Sequence, residues 1–226
     1  MTIRDDTGTH SHRGALLSLA GVSRVRGERQ VLAPFDLDVA PGECVALLGR
    51  NGSGKSTLLR IAAGRDRPTT GSVTFDGGPM DENDPRVRAR VAVAGDALAC
   101  YPDLTVRQHL ELVATGHGVP DAELRVTEAL AAHGLTSRAD ALPTELSSGQ
   151  LQETLLAAAL LRPADLLLLD EPEARLDPAA RERLAAALTD RVASGTALLL
   201  VTHHRPLAAA LADRTFVLTD GVPAAS

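Results

Sequence analysis

At 226 residues, the chain has the length of one larger domain, or of a core domain with a lobe inserted into it. Hydrophobic residues make up 44% and charged residues 23%, which excludes a disordered chain. A formal net charge of −6 and only 2% aromatics argue against nucleic acid as the main ligand, because such binders need a basic face and stacking rings.

Residues 1–14 are polar and read as a disordered tail without a signal-peptide apolar segment. His10 and His12 read as tail residues ahead of metal ligands. Residues 16–42 alternate short apolar pieces with turn residues, which predicts antiparallel strands. Residues 43–49 (ECVALLG) form an apolar strand that feeds a glycine-rich loop, and residues 55–63 predict a helix closed by Gly64. A strand over 72–75 ends in the turn Asp76-Gly77. From 96 to 161 the pattern turns helical. Thr105 and Gln108 make a capping box ahead of Leu110, Leu112 and Val113; Asp121 starts a second helix that ends at Gly134; a third follows Ser148. Strands return over 165–170 and 197–202, and between them Asp177 caps a helix with Pro178 at its first position. Residues 216–218 with Asp220-Gly221 predict a last hairpin. The fold class is α/β: a phosphate-loop core with a mainly parallel sheet, an N-terminal antiparallel β layer and an inserted helical lobe, all within one domain over 15–226.

No apolar stretch reaches the ~20 residues of a membrane-spanning helix, so a membrane role requires a partner. Cys44 and Cys100 show no CxxC pairing and read as inert thiols of a reducing compartment.

Three segments carry chemistry. Gly49-Arg50-Asn51-Gly52-Ser53-Gly54-Lys55-Ser56, followed by Thr57, matches G-x-x-x-x-G-K-[ST] between a strand and a helix. Its glycines let backbone N–H groups approach phosphate oxygens, and the helix N-terminus adds a positive dipole end. Lys55 is placed to reach the β- and γ-phosphates, and Ser56 to offer its hydroxyl to Mg²⁺. Second, the apolar run 166–169 delivers Asp170 and Glu171 to the C-terminal edge of the sheet, where such folds place their sites. Asp170 suits Mg²⁺, and Glu171 suits a general base acting on water. Third, Leu146-Ser147-Ser148-Gly149-Gln150 opens a helix and offers a second anion site.

Leu146–Gln150 closely resembles the LSGGQ signature of ABC ATPases. Ala174-Arg175-Leu176-Asp177 resembles the D-loop of that family, and Thr202-His203 its switch histidine. Residues 101–106 (YPDLTV) resemble the segment that begins its helical lobe. The resemblance runs from about Leu17 to Gly221. It implies a head-to-tail dimer with ATP held between the phosphate loop of one protomer and Ser147, Ser148, Gly149, Gln150 and Asp177 of the other. It further implies that His203 contacts the γ-phosphate, that the second protomer is a homo- or heterodimeric cassette, and that a separate membrane permease holds the chain at the cytoplasmic face of the membrane. ATP and Mg²⁺ are the implied ligands. Two other readings exist: an ATPase of the same family without a transport role, and a weakly active regulatory partner in a heterodimeric pair.

The sequence departs from the family at four places. Ser148 stands where glycine is usual, and Leu151 and Glu153 stand where basic residues are common. The adenine-stacking aromatic is missing; its place falls near Arg26, whose guanidinium either stacks on adenine or stays solvated. The glutamine at the entry to the helical lobe is replaced by Gly95 or Asp96, and Asp96 is either a Mg²⁺ ligand or a loop cap.

Overall fold

A computed structural model describes residues 14–95 and 100–225. Of the tail expected over 1–14, residues 1–13, with His10 and His12, lie outside the described residues, as does the candidate metal ligand Asp96.

The elements run β1 (Leu17–Arg26), β2 (Arg29–Val39), β3 (Cys44–Gly49), α1 (Lys55–Ala62), β4 (Thr70–Phe75), β5 (Gly78–Pro79), α2 (Pro85–Arg90), β6 (Val91–Ala94), α3 (Val106–Gly116), α4 (Ala122–Ala132), α5 (Ser148–Leu161), β7 (Leu166–Asp170), α6 (Pro178–Ala193), β8 (Ala197–Val201), α7 (Arg205–Leu211), β9 (Arg214–Thr219) and β10 (Val222–Ala225). They form two sheets. One is antiparallel, in the order β2-β1-β4-β5. The other has the order β10-β9-β3-β8-β7-β6, parallel from β9 to β6 and closed at one edge by the antiparallel strand β10.

Strand β7 shows why the parallel sheet reads as unbroken apolar runs. Leu166 and Leu168 face the antiparallel sheet and α1, with Leu58 and Ile61. Leu167 and Leu169 face the opposite layer, with Leu156 of α5, Leu184 and Leu188 of α6 and Leu207 of α7. All four leucines are fully buried, so each contributes about 1.5–3 kcal/mol of apolar transfer. The sheet thus holds its strand ends, and the loops that leave them, on a rigid base.

The helical lobe packs α3, α4 and α5 around Val106, Leu110, Ala114, Val126, Leu130, Leu135, Ala157 and Ala158. The capping box of α3 forms as expected, with Gln108 N donating to Thr105 Oγ1 and Thr105 N to Gln108 Oε1. Leu112 does not join the lobe core; it is 47% exposed, because the inward stripe of α3 is 106-110-114. Asp121 precedes α4 but does not cap it through its side chain; its backbone is left-handed, with φ 51°. Helices α2 and α7 and the short strand β5 were not expected from the sequence. His204 caps α7: its Nδ1 accepts the Leu207 N–H at 3.2 Å.

Cys44 is fully buried at the start of β3. Burial, reinforced by the carboxylates of Asp213 and Glu43, pushes its thiol up to about 12. The thiol therefore stays protonated well past its ordinary range and presents no thiolate. Alkylation of the folded protein at about pH 8, read by peptide mass spectrometry, is expected to leave Cys44 unmodified while the unfolded chain reacts fully. Rapid native labelling of Cys44 would refute the buried position of β3.

Candidate nucleotide site

The loop between β3 and α1 is built to hold an anion. Gly54 precedes α1 with φ 104°, and a Cβ there would lie 2.7 Å from the Val31 carbonyl oxygen. No side chain caps α1, so its first amides are left for a ligand. Lys55 is buried, and its Nζ donates to the carbonyl oxygens of Gly49 at 2.8 Å and Arg50 at 3.0 Å. That folds the ammonium back over the loop with one donor to spare. The turn between β9 and β10 braces the loop from below, with Gly221 N donating to Ser53 O at 3.0 Å.

Above this loop lies a cleft of about 720 Å³. Asn51, Gly52, Gly54, Lys55, Ser56 and Thr57 line one side. Asp170 and Glu171 reach it from the end of β7, and Leu151, Gln152 and Leu155 of α5 close the far side. Ser56 and Asp170 thus place a hydroxyl and a carboxylate on one cavity. These are hard oxygen donors, and few are needed where phosphates supply the rest of a magnesium shell. The donor set fits Mg²⁺ carried in with a nucleotide.

Glu171 follows the last ladder bond of the sheet, in which its N–H donates to Val201 O at 2.8 Å. Its φ of 45° is unusual for a residue with a side chain and aims the carboxylate off the sheet edge. His203, on the loop after β8, brings Nδ1 to 3.3 Å from Glu171 Oε1. The two side chains sit on adjacent strand ends as a pair, although His203 does not line the cleft itself.

Gly95 follows β6 with φ 142°, and a Cβ there would fall 2.6 Å from the Asp170 Cβ. Of the two positions considered for the missing glutamine, residue 95 cannot hold a side chain without moving Asp170. Gly95→Ala is expected to strain this corner by about 1–3 kcal/mol and to weaken nucleotide binding in Mg²⁺ more than in EDTA. Equal affinities for wild type and variant, by titration of a fluorescent nucleotide, would contradict the contact.

The residues Ser147, Ser148, Gly149, Gln150 and Asp177 do not line this cleft. Ser147 and Gln150 form a complete capping box at the start of α5, and Asp177 Oδ1 accepts the Ala180 N–H at 2.8 Å to cap α6. Gly149 packs so closely on the Arg175 carbonyl oxygen that a Cβ would stand 2.9 Å away. Gln152, which the sequence did not single out, adds a hydrogen bond from Nε2 to Pro172 O at 3.0 Å. Arg26 does not line the cleft and pairs with Asp66 at 3.2 Å.

Comparison with known proteins agrees with this geometry. Residues 32–174 match the sequence model of the family described as ABC transporter. The chain is 42% identical over 208 residues to an aliphatic sulfonates import ATP-binding protein of Mycobacterium sp., covering 92% of this chain and 81% of that protein. It is 35% identical over 209 residues to a Nod factor export ATP-binding protein of Cupriavidus metallidurans, covering 92% of this chain and 69% of that protein. Among solved structures it is similar to an ATP-binding subunit of an ABC transporter, with a TM-score of 0.85, 30% identity, and 93% and 89% of the two chains covered. It is also similar to a dimeric post-hydrolysis state of an ATP-binding cassette bound to ADP and phosphate, with a TM-score of 0.81, 27% identity, and 92% and 96% covered.

Proposed function

The chain belongs to the ABC transporter family, and on that premise we propose that it is the ATP-binding and hydrolysing subunit that powers a membrane transporter. The observation that carries this reading is the convergence of Lys55, Ser56, Asp170 and Glu171 on one cleft at the C-terminal edge of the parallel sheet.

In this reading the loop amides and Lys55 hold the β- and γ-phosphates of ATP. Ser56 and Asp170 would hold Mg²⁺, which would neutralise phosphate charge. Glu171 accepts a proton from the attacking water as its oxygen bonds to the γ-phosphorus. The bond from that phosphorus to the β–γ bridging oxygen breaks, releasing ADP and inorganic phosphate. His203, beside Glu171, orients that carboxylate and reaches the γ-phosphate. Catalysis here is positioning and charge stabilisation, with no covalent intermediate.

The segment Ser147–Gln150 sits at the N-terminus of α5 and does not line its own cleft, so in this reading it serves a phosphate bound by a second cassette. One chain carries both halves of that composite site, and two copies suffice to complete two sites. ATP closes the pair, hydrolysis reopens it, and a separate permease turns the motion into transport. Among the described residues no helix is long and apolar enough to cross a membrane, which is why the permease is assigned to another chain.

The test is to tag the chain in its native host, solubilise membranes in mild detergent and identify what co-purifies. A polytopic membrane protein in stoichiometric amount supports the reading. Recovery with ribosomes or assembly factors alone would remove the transport role and leave the ATPase assignment standing. A second, different cassette in the complex would replace the homodimer by a heterodimer.

A further inference from the structure

The loop after β7 carries a second glutamate that the reaction above does not use. Glu173 is 2% exposed, and Thr202 on the loop after β8 is fully buried against it. The Thr202 hydroxyl donates to Glu173 Oε1. The same hydroxyl oxygen accepts the His204 N–H at 2.9 Å, which leaves the hydroxyl proton to point at the carboxylate. The other carboxylate oxygen, Oε2, is buried and has no hydrogen-bond partner among the described residues.

A buried oxygen without a partner is destabilising, and an apolar side chain of similar size would avoid that cost. Folding alone therefore does not account for a glutamate at this position. Its place in the fold does. The ladder between β7 and β8 ends at Glu171 N–H to Val201 O, and Pro172 has no N–H to extend it. Beyond that point two side-chain ties join the loops: the half-exposed pair Glu171–His203, and the buried bond from Thr202 to Glu173. The first tie is made by the reacting groups themselves. The second brackets it, because Glu173 lies two residues past Glu171 and Thr202 immediately precedes His203.

We propose that Glu173 is a positioning residue for hydrolysis, which through the Thr202 hydroxyl fixes the separation of Glu171 from His203 across the two strand ends. This rests on the roles proposed above for Glu171 and His203. Glu173 does not line the nucleotide cleft. It sets the geometry of Glu171 and His203, and a misplacement of about 1 Å at such a site costs on the order of 10²-fold in rate.

The experiment compares Glu173→Leu, Thr202→Val, the double variant and Glu173→Gln in the full chain, measuring kcat and KM for MgATP together with equilibrium binding of a fluorescent ATP analogue. Glu173→Leu and Thr202→Val are each expected to lower kcat about 10- to 100-fold, with nucleotide affinity within about twofold of wild type. The double variant is expected to fall no further than the single ones, because both remove the same bond. Glu173→Gln, whose amide oxygen still accepts from Thr202, is expected to recover most of kcat. If kcat stays within about twofold in Thr202→Val, or if nucleotide binding is lost in step with kcat, the positioning role is refuted. Thr202→Val decides the matter should Glu173→Leu fail to fold. Glu171→Gln, run alongside, separates the two readings: its full activity would remove the base assignment itself, whereas its loss beside unaffected Glu173 and Thr202 variants would remove only the role given to Glu173.

Discussion

Replacing Glu171 with glutamine is expected to lower ATP turnover by about 10²- to 10⁴-fold, the range a positioned general base supplies. Nucleotide affinity is expected to hold, because in the proposed binding mode the phosphates are held by the loop amides and Lys55, which also line the cleft. Bound ATP would then persist, and the two cassettes would remain closed around it. Light scattering after gel filtration is expected to show a dimer for Glu171→Gln in ATP and a monomer in ADP. Turnover equal to wild type would sink the base assignment. Lost turnover without an ATP-dependent dimer would instead sink the composite site built from Ser147–Gln150.

The second large effect is expected at Glu153, which does not line the cleft. The sequence marks this position as a departure, a carboxylate where the family commonly has a basic residue. The structure accounts for it with a charge network. Glu153 Oε2 meets His133 Nδ1 at 2.6 Å, and Glu153 Oε1 accepts from Arg183 at 2.9 Å, so α5 is tied to the end of α4 and to α6. Glu153 is 8% exposed and fits its place only because both partners are there. Glu153→Arg, which restores the family's usual charge, is therefore expected to destabilise the chain. It would bury a cation against Arg183 and His133, and breaking such a buried pair costs about 3 kcal/mol. Half-exposed Arg183 is screened by water and adds little, so the burden falls on the buried ends. For a chain of this size that loss lowers Tm by about 10 °C, readable by differential scanning calorimetry. Glu153→Gln, which keeps the acceptor, is expected to lose less. An unchanged Tm in Glu153→Arg would show that the network does not hold the lobe to the core.

What could be read from the sequence followed from local rules. The run Leu166–Leu169 announces a strand buried on both faces, and Thr105 with Gln108 announces a helix start, because each signal is complete within a few residues. The loop 49–56 is legible for the same reason: its glycines and lysine do their work on one turn of backbone. Short helices were missed. Six residues in α2 and seven in α7 leave no periodicity to detect, although Pro85 and Pro206 in their first turns were an available cue. Tertiary partners were the other gap. Arg26 pairs with Asp66, forty positions along the chain, and Glu173 with Thr202, twenty-nine positions along. Nothing local to either residue foretells such a pairing. Gln152 was invisible because its partner is a backbone carbonyl, which every residue carries.

Helix α5 has a consequence for how this chain tolerates change. Leu156 and Ala159 press on the sheet layer, while Ala157 and Ala158 fill the lobe. Four consecutive residues are therefore buried, where α3 buries Val106, His109, Leu110 and Ala114 along one face. Saturation mutagenesis scored by growth would record α3 as a rhythm of forbidden and permitted positions. Along α5 it would record an unbroken block over 156–159, closed in by the sheet layer on one side and the lobe on the other. The helix that opens with the signature-like segment is in this respect less free to vary than α3, and relatives that differ at 156–159 must differ in lobe and core together.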